Sequence, residues 1–413
     1  MASTGNRTKR IFISDIHMGD AESVSPLEAN GLYPYCWFYG ERPGMLAAFL
    51  KLKLQDPGVK DIVILGDLFD EWIYPAQLDP TPPPPDTQFH KIARAEQNVP
   101  VIDIFKEIAV NPDVNLVYVP GNHDMLLTKD VLTDIIPGID YRGDGLGKGA
   151  YIDAGIAAEH GSYYCLFNAP DSYTRPGHHL PLGFFISRAV TELASKKGSE
   201  PNYMEILAQF IPKFHGMSDV GREIYAAITA ASGLDAASPI MMGGLDGYEG
   251  SIEVSQIENW FSDLYEQWDD NMPGNVDKEE ALVNDCGILY IAATTRYFGK
   301  KNKPDIVLFG HTHMYTIHGL SLNLEEELAL SELKKSEIPC QYIYANTGTW
   351  TNAKKRCTFV ETQLDKNAQI HYVRVKEYTQ DGAIVTLGER HKIVGSGCSP
   401  FRSLQTAFGS SNT

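Results

Sequence analysis

The first third of the chain alternates short runs with apolar centres and longer segments of helical spacing. The apolar runs at 9–16, 61–65 and 115–119 are short enough to be strands buried on both faces. Residues 43–54 and 89–110 repeat apolar side chains at helical intervals between those runs. Strands that alternate with helices favour a largely parallel sheet, so the pattern predicts an α/β fold.

The pattern of apolar and polar residues changes in the middle of the chain. Between 171 and 299 strand signals are weak, and we predict amphipathic helices at 183–196, 202–215, 218–232, 252–268 and 278–297. Strand patterns then return at 305–309, 342–345, 357–361, 369–375 and 383–387. The sequence therefore predicts a discontinuous core of 9–170 plus 300–390, a mostly helical insertion at 171–299, and a tail at 391–413.

Composition narrows the class of protein. The 413 residues carry 53 acidic against 35 basic side chains, a net charge of −18, which argues against non-specific binding to nucleic acid. No apolar run is long enough to span a bilayer, so we expect no transmembrane segment. We also expect a cytoplasmic protein without a signal peptide, because cleavage near residue 25 would remove Asp15 and His17, two candidate metal ligands. Six scattered cysteines without a C-x-x-C pair predict free thiols.

Potential metal ligands follow the strand-like segments in five places. In chain order they are Asp15-Ile16-His17, Gly66-Asp67-Leu68-Phe69-Asp70, Gly121-Asn122-His123-Asp124, His160-Gly161 and Gly310-His311-Thr312-His313. Ligand-binding loops lie at the carboxyl ends of strands in such sheets. Carboxylate, amide and imidazole groups suit hard and borderline divalent ions, so the five motifs predict one site with two metal ions.

The residue types suggest different roles. Asp15 and His17 alternate at a strand end and would face one ion, whereas the two oxygens of Asp67 suit it to bridge two ions. Asn122 offers a neutral oxygen, and its neighbour His123 is better placed as an acid or a positive contact toward the leaving group. A purely structural His123 is the alternative.

Two other positions are less specific. His160 follows a plausible strand pair at 151–159, and His178-His179 in the insertion competes with it as a ligand. Asp70 fits a helix cap or a hydrogen-bond acceptor for a ligand better than it fits a ligand.

Taken together, Asp-x-His, Gly-Asp-x-x-Asp, Gly-Asn-His-Asp, His-Gly and Gly-His-Thr-His resemble the calcineurin-like metallophosphoesterase superfamily. The resemblance implies a four-layer α/β/β/α sandwich with a large, mostly helical cap insertion. It also implies that one ion takes Asp15, His17, Asp67 and His313. The other ion would take Asp67, Asn122, His160 and His311, and a bridging hydroxide would attack phosphorus while His123 serves the leaving group.

Within that superfamily the helical insertion is loosely similar to the UDP-2,3-diacylglucosamine hydrolase branch. We expect a small substrate linked to a nucleotide, sugar or lipid, with Mn²⁺ as the first choice of ion and Fe or Zn²⁺ as alternatives. A metal-dependent nuclease or phosphodiesterase, and a UDP-sugar-lipid pyrophosphatase, remain open alternatives. Neither the oligomeric state nor the physiological substrate follows from the sequence. Cations available for additional phosphates are Arg175, Arg188, Arg222, Arg296, Lys300, Lys301 and Lys303.

Overall fold

The fold is described from a computed structural model of the chain. The structure describes residues 7–20, 37–79, 81–145, 147–171, 175–197, 220–261, 285–320, 339–351 and 356–394.

Strands and helices alternate in the order that the sequence predicts. The strands are β1 Lys9–Ile13, β2 Val59–Leu65, β3 Asn115–Val119, β4 Asp140–Tyr141, β5 Tyr151–Asp153, β6 Ile156–Ala158, β7 Pro239–Met241, β8 Ser251–Glu253, β9 Ile306–Phe309, β10 Thr316–Leu320, β11 Tyr342–Asn346, β12 Cys357–Leu364, β13 Ile370–Tyr378 and β14 Ile384–Ile393. The α-helices are α1 Arg42–Gln55, α2 Gln88–Arg94, α3 Val99–Ala109, α4 Lys129–Ile135, α5 Leu182–Lys197, α6 Val220–Ala231, α7 Val254–Trp260 and α8 Asp285–Arg296.

Two larger sheets form the framework of the fold. One has the strand order β14-β13-β12-β1-β2-β3-β4, and the other has the order β10-β11-β9-β6-β5. In the first sheet β1, β2 and β3 are parallel, and in the second β6, β9 and β11 are parallel. The predicted α/β class is confirmed. Because these parallel strands run in one direction within each sheet, their carboxyl ends gather the loops that follow them at one edge.

Buried apolar side chains form three clusters around these sheets. Val63 and Val117 of the larger sheet share one buried cluster with Ile306 and Ile343 of the smaller sheet, so the two sheets pack against each other. Residues of α1, α3 and α4 pack with those of the larger sheet in a second cluster, and α8 packs with β9 of the smaller sheet in a third. Both faces of the parallel strands are therefore buried, which is why their sequences read as continuous apolar runs.

One predicted helix is two helices. The segment 89–110 divides into α2 and α3, with a break at Ala95–Asn98. The Asn98 side chain donates a hydrogen bond to the carbonyl oxygen of Ile92, which ends the first helix, and Pro100 occupies the first turn of the second. The predicted helical crossover is therefore present as two helices, because its apolar spacing runs through a local stop signal.

The insertion contains strands as well as helices. The strands β7 and β8 form an antiparallel pair, which the weak strand signals of 171–299 did not predict. Ile252 and Glu253, predicted as the start of a helix, belong to β8 instead, and the helix begins at Val254. The turn between the strands requires Gly243 at φ 58°, a conformation that a glycine adopts at low cost. The predicted helix 202–215 lies outside the described residues.

The insertion and the core pack as neighbours in the described chain. Phe184 of α5 contacts Trp72, and the Arg188 guanidinium donates to the carbonyl oxygens of Pro75 and Leu78. Helix α8, which lies within the predicted insertion, packs on the smaller sheet. We therefore propose that α8 belongs with the core. Across the described residues, no helix combines the length and apolarity needed to cross a membrane.

Candidate metal centre

The predicted site residues come together where the parallel strands end. Asp15 and His17 follow β1, Asp67 follows β2, and Asn122 and His123 follow β3. His160 follows β6, and His311 and His313 follow β9. The five motifs therefore converge on one place, although His17 and His313 are 296 positions apart.

The backbone at this place is strained. Five of the site residues have φ between 52° and 69°, in the left-handed region: Asp15, His17, Asp67, His311 and His313. Such a conformation costs about 1 kcal/mol or more for a residue with a side chain, and it clusters at functional sites. The loops after β1, β2 and β9 therefore turn sharply at the residues whose polar side chains meet in the centre.

A first group of atoms that could hold a metal ion consists of Asp15, His17 and His313. His313 Nε2 lies 3.3 Å from Asp15 Oδ1, and His17 Nε2 lies 2.9 Å from His313 Nε2. Asp15 is fully buried, and within the described chain its Oδ1 atom accepts no hydrogen bond. A buried carboxylate oxygen facing two imidazoles is the arrangement expected of a site for a cation.

A second group consists of Asp67, His160 and His311. His160 Nε2 lies 3.2 Å from Asp67 Oδ2 and 3.1 Å from Asn122 Oδ1. The other ring nitrogen of His160 donates to the Leu65 carbonyl oxygen at 2.7 Å, which directs Nε2 toward the centre. Burial lowers the pKa of His160, but the Asp67 carboxylate outweighs that effect and raises the pKa to about 9.

Asp67 lies between the two groups. Its Oδ2 atom is 3.5 Å from His17 Nε2 of the first group, in addition to its contact with His160 of the second. The turn around it depends on two glycines that touch each other. A Cβ on Gly66 would lie 2.5 Å from the Gly121 Cα, and a Cβ on Gly121 would overlap the Asp67 carboxylate. These glycines allow β2 and β3 to bring their loops together.

Asp70 holds two histidines of the centre. Its Oδ1 lies 2.7 Å from His123 Nδ1, and its Oδ2 lies 2.7 Å from His17 Nδ1. Burial opposes ionisation of Asp70, but the charges of His123 and His17 outweigh it and lower the pKa of its carboxyl to about 2. The ionised carboxylate accepts a hydrogen bond from Nδ1 of each ring, so it fixes both rings and turns the Nε2 atom of each away from Asp70.

The contacts of His123 suit it to act on a substrate next to the candidate metal ligands. Its ring stacks on the buried Trp72 with centroids 4.2 Å apart, and its side chain retains 10% exposure. Burial lowers the pKa of His123, but the negative charges of Asp70 and Asp67 outweigh that effect and raise it. A fixed imidazole with its proton held more tightly is suited to donate a proton or to contact a phosphate.

The sequence matches a family model over residues 8–315, and that model is described as calcineurin-like phosphoesterase. The chain belongs to the calcineurin-like phosphoesterase family. The match confirms the predicted superfamily and, at that level, a hydrolase that acts on phosphate esters. A search of curated proteins found no match for this sequence.

Solved structures similar to this chain include those of three named proteins. Vps29 from Chaetomium thermophilum is 8% identical, with a TM-score of 0.27, over 94% of this chain and 98% of its own. The purple acid phosphatase PPD1 from yellow lupin is 12% identical, with a TM-score of 0.33, over 94% of this chain and 53% of its own. A putative 5'-nucleotidase from Staphylococcus aureus is 11% identical, with a TM-score of 0.25, over 94% and 54%. This calcineurin-like chain spans about half the length of the latter two, and its family assignment rests on the sequence match.

Residues outside the five motifs also organise the centre of this phosphoesterase. Asn346 Nδ2 donates to the Gly310 carbonyl oxygen, and the Thr349 hydroxyl and Trp350 N–H both donate to the Asp15 carbonyl oxygen. The segment Asn346-Thr347-Gly348-Thr349-Trp350 thus ties the loop after β1 to the loop after β9. Its many small polar side chains directly after a strand are a signal for this role.

Asp124, the last residue of its motif, is a second organiser. Its carboxylate accepts from the Gly121 N–H at 2.8 Å and the Leu68 N–H at 2.7 Å. Burial, with the charge of Asp67 second, raises the pKa of Asp124 to about 6. Asp124 therefore ties the loop after β2 to the loop after β3, and the sequence alone did not assign it a role.

The competing histidines lie elsewhere. His178 Nδ1 donates to the Asp246 carbonyl oxygen, and His179 Nδ1 lies 3.1 Å from the Asp246 carboxylate within the insertion. Two of the candidate cations are also structural. Arg175 is buried among four aromatic rings, with Trp260 at 4.4 Å, and Arg188 is fully buried. Neither guanidinium is available at the surface for a substrate phosphate.

Proposed function

We propose that this chain hydrolyses a phosphoester or pyrophosphate bond with the help of two divalent metal ions. The observation that supports this most directly is the position of Asp67. Its carboxylate lies 3.5 Å from a histidine of one ligand group and 3.2 Å from a histidine of the other. A carboxylate shared in this way suits a binuclear centre.

The donor atoms suit divalent ions of intermediate hardness. We assign Asp15, His17, Asp67 and His313 to one ion, and Asp67, Asn122, His160 and His311 to the other. Mn²⁺ is our first choice, with Fe and Zn²⁺ as alternatives, because mixed carboxylate, amide and imidazole sites accept all three. The unpartnered Asp15 oxygen and the paired imidazole nitrogens fit such ions.

The side chains around the centre would position the reaction. Bound ions would activate a water molecule and neutralise charge at phosphorus. Asp70 orients His123 through Nδ1, which leaves Nε2 to face the substrate. His123 would then donate a proton to the leaving oxygen or stabilise the negative charge that develops there.

For the substrate we propose a small phosphorylated compound linked to a nucleotide, sugar or lipid. The net charge of −18 disfavours a nucleic acid. The described cysteines Cys165, Cys340 and Cys357 are free thiols, which agrees with the cytoplasmic location that we propose.

The test is hydrolysis by protein first stripped of metal and then loaded with Mn²⁺. Three substrates distinguish the classes: p-nitrophenyl phosphate for monoesters, bis-p-nitrophenyl phosphate for diesters, and a UDP-sugar for pyrophosphates. We expect turnover of one class, loss of that turnover on chelation, and recovery with Mn²⁺. Absence of turnover on all three after loading would contradict the proposal.

A further inference from the structure

Trp37 lies against the histidines of the metal centre. Its ring centroid is 4.8 Å from that of His17, 5.7 Å from that of His313 and 5.8 Å from that of His123. It therefore contacts two proposed ligands of one ion and the proposed acid at once. None of the five motifs contains this residue.

Trp37 differs from the other indole at the centre in its exposure. Trp72 stacks on His123 but is 1% exposed, so it supports the ring from within the protein. Trp37 is only half-buried, so part of its surface is exposed to solvent. Of these two tryptophans, Trp37 is the one that a bound molecule can touch.

The position of His123 indicates what that molecule would present. If His123 serves the leaving oxygen, the organic group on that oxygen must pass close to the His123 ring. Trp37 lies next to this ring and next to His17 and His313. The organic group would therefore meet the indole before it reaches bulk solvent.

We propose that Trp37 forms the wall of a subsite for a planar, aromatic leaving group, such as a nucleobase-bearing or aryl group. This inference rests on the proposed function, because it uses His123 to locate the leaving group. An indole offers a broad flat surface with few rotatable bonds, and offset stacking on it adds to ordinary apolar burial. Trp37 thus determines specificity for the leaving group and is not a catalytic residue.

A pair of non-hydrolysable phosphonates separates stacking from general apolar contact. Benzylphosphonate and cyclohexylmethylphosphonate have similar size, but only the first carries a flat aromatic ring. Their dissociation constants are measured by calorimetry on the Mn²⁺-loaded protein, for wild type, Trp37→Phe and Trp37→Leu. The control is Trp260→Leu, because Trp260 is a half-buried tryptophan whose ring stacks on Tyr248 in the insertion.

We expect wild type to bind benzylphosphonate more tightly than its saturated counterpart by about three- to tenfold, the effect of one aromatic stack. Trp37→Phe should keep most of this preference, whereas Trp37→Leu should lose it and bind the cyclohexyl compound as wild type does. Trp260→Leu should keep the full preference. Metal content and circular dichroism of each variant establish that the centre and the fold are intact.

Three outcomes would overturn the inference: no binding of benzylphosphonate by wild type, no preference for it, or a preference that survives Trp37→Leu. Failure of the proposed function would give results different from failure of the subsite. Turnover of phosphoesters without an aromatic preference contradicts the subsite alone. An aromatic preference in a metal-loaded protein that hydrolyses nothing contradicts the proposed activity and leaves the binding surface in place.

Discussion

The Asp70 carboxylate accepts a hydrogen bond from His123 Nδ1 over a distance of 2.7 Å. The second oxygen of the same carboxylate lies equally close to His17 Nδ1. One side chain therefore holds both a proposed metal ligand and the proposed acid, and it fixes the position of one ring relative to the other. Since each oxygen of Asp70 is taken up by a ring nitrogen, we infer that it acts by positioning these rings.

Replacing Asp70 should separate positioning from metal binding. In Asp70→Asn the amide has one accepting oxygen, so one of the two ring N–H groups must face an NH₂ group. We expect turnover to fall by about 10- to 100-fold, the usual effect of removing a partner of a metal-site histidine, with most of the metal retained. Steady-state kinetics and elemental analysis measure both quantities. Asp113→Asn, on the exposed surface, is the control, and unchanged turnover in Asp70→Asn would contradict the positioning role.

Removal of the His123 side chain should leave the metals in place. We expect His123→Ala to retain metal and to lose turnover by about 100-fold or more, because general acid catalysis contributes on that order. The exposed His318 provides the matched control, His318→Ala, with unchanged turnover. Equal losses of metal and turnover in His123→Ala would instead make His123 a ligand or a structural residue.

Binding of metal should stabilise the fold. Asp15 and Asp67 are buried carboxylates. A cation that binds them only in the folded chain raises the free energy of unfolding. At an ion concentration about 100 times the dissociation constant the gain is about 2.7 kcal/mol, which raises the melting temperature by several degrees. Calorimetric melting with Mn²⁺ and with a chelator measures the difference. Identical melting temperatures in the two conditions would contradict a metal centre.

His371 should make the fold sensitive to mild acid. Burial, with the charge of Arg10 second, lowers its pKa to about 4, and the side chain is 2% exposed. Between an unfolded pKa near 6.5 and this folded value, the unfolded chain binds more protons. The free energy of unfolding therefore falls as pH decreases through that window, by about 1 kcal/mol per pH unit at most.

The variant His371→Gln removes this titration. Urea unfolding at pH 7.5 and at pH 5 should show a smaller loss of stability for His371→Gln than for wild type. The metal ligands titrate equally in both proteins, so their effect cancels from the comparison. His318→Gln serves as the exposed control, and equal losses in wild type and His371→Gln would contradict the assignment.

The strands and the site motifs followed from local sequence because local chemistry determines them. The run Asn115–Val119 is a strand with the predicted bounds, and Asp15 and Asp67 lie at strand ends as expected. A short run with an apolar centre that stops near glycine or aspartate marks both a buried strand and its terminal loop. His160, the least specific of the motifs, depended on the strand pair before it, and that pair is present as β5 and β6.

Other features depended on contacts between distant segments. Asp70 joins His17 and His123, 53 positions away on either side, and neither partner is apparent from the local sequence. Trp37 lies beside His313, far along the chain. The pair β7 and β8 was missed because each strand has three residues, which is too short for an alternating pattern to be recognised.

The metal content of wild type and of Asp67→Asn, measured together with hydrolysis of the preferred substrate class, tests the central claim most directly. Asp67 is the residue that both ions share in this account. We predict about two metal ions per wild-type chain after Mn²⁺ loading, a lower content in Asp67→Asn, and no hydrolysis by that variant. An Asp67→Asn protein with wild-type turnover would contradict the binuclear centre.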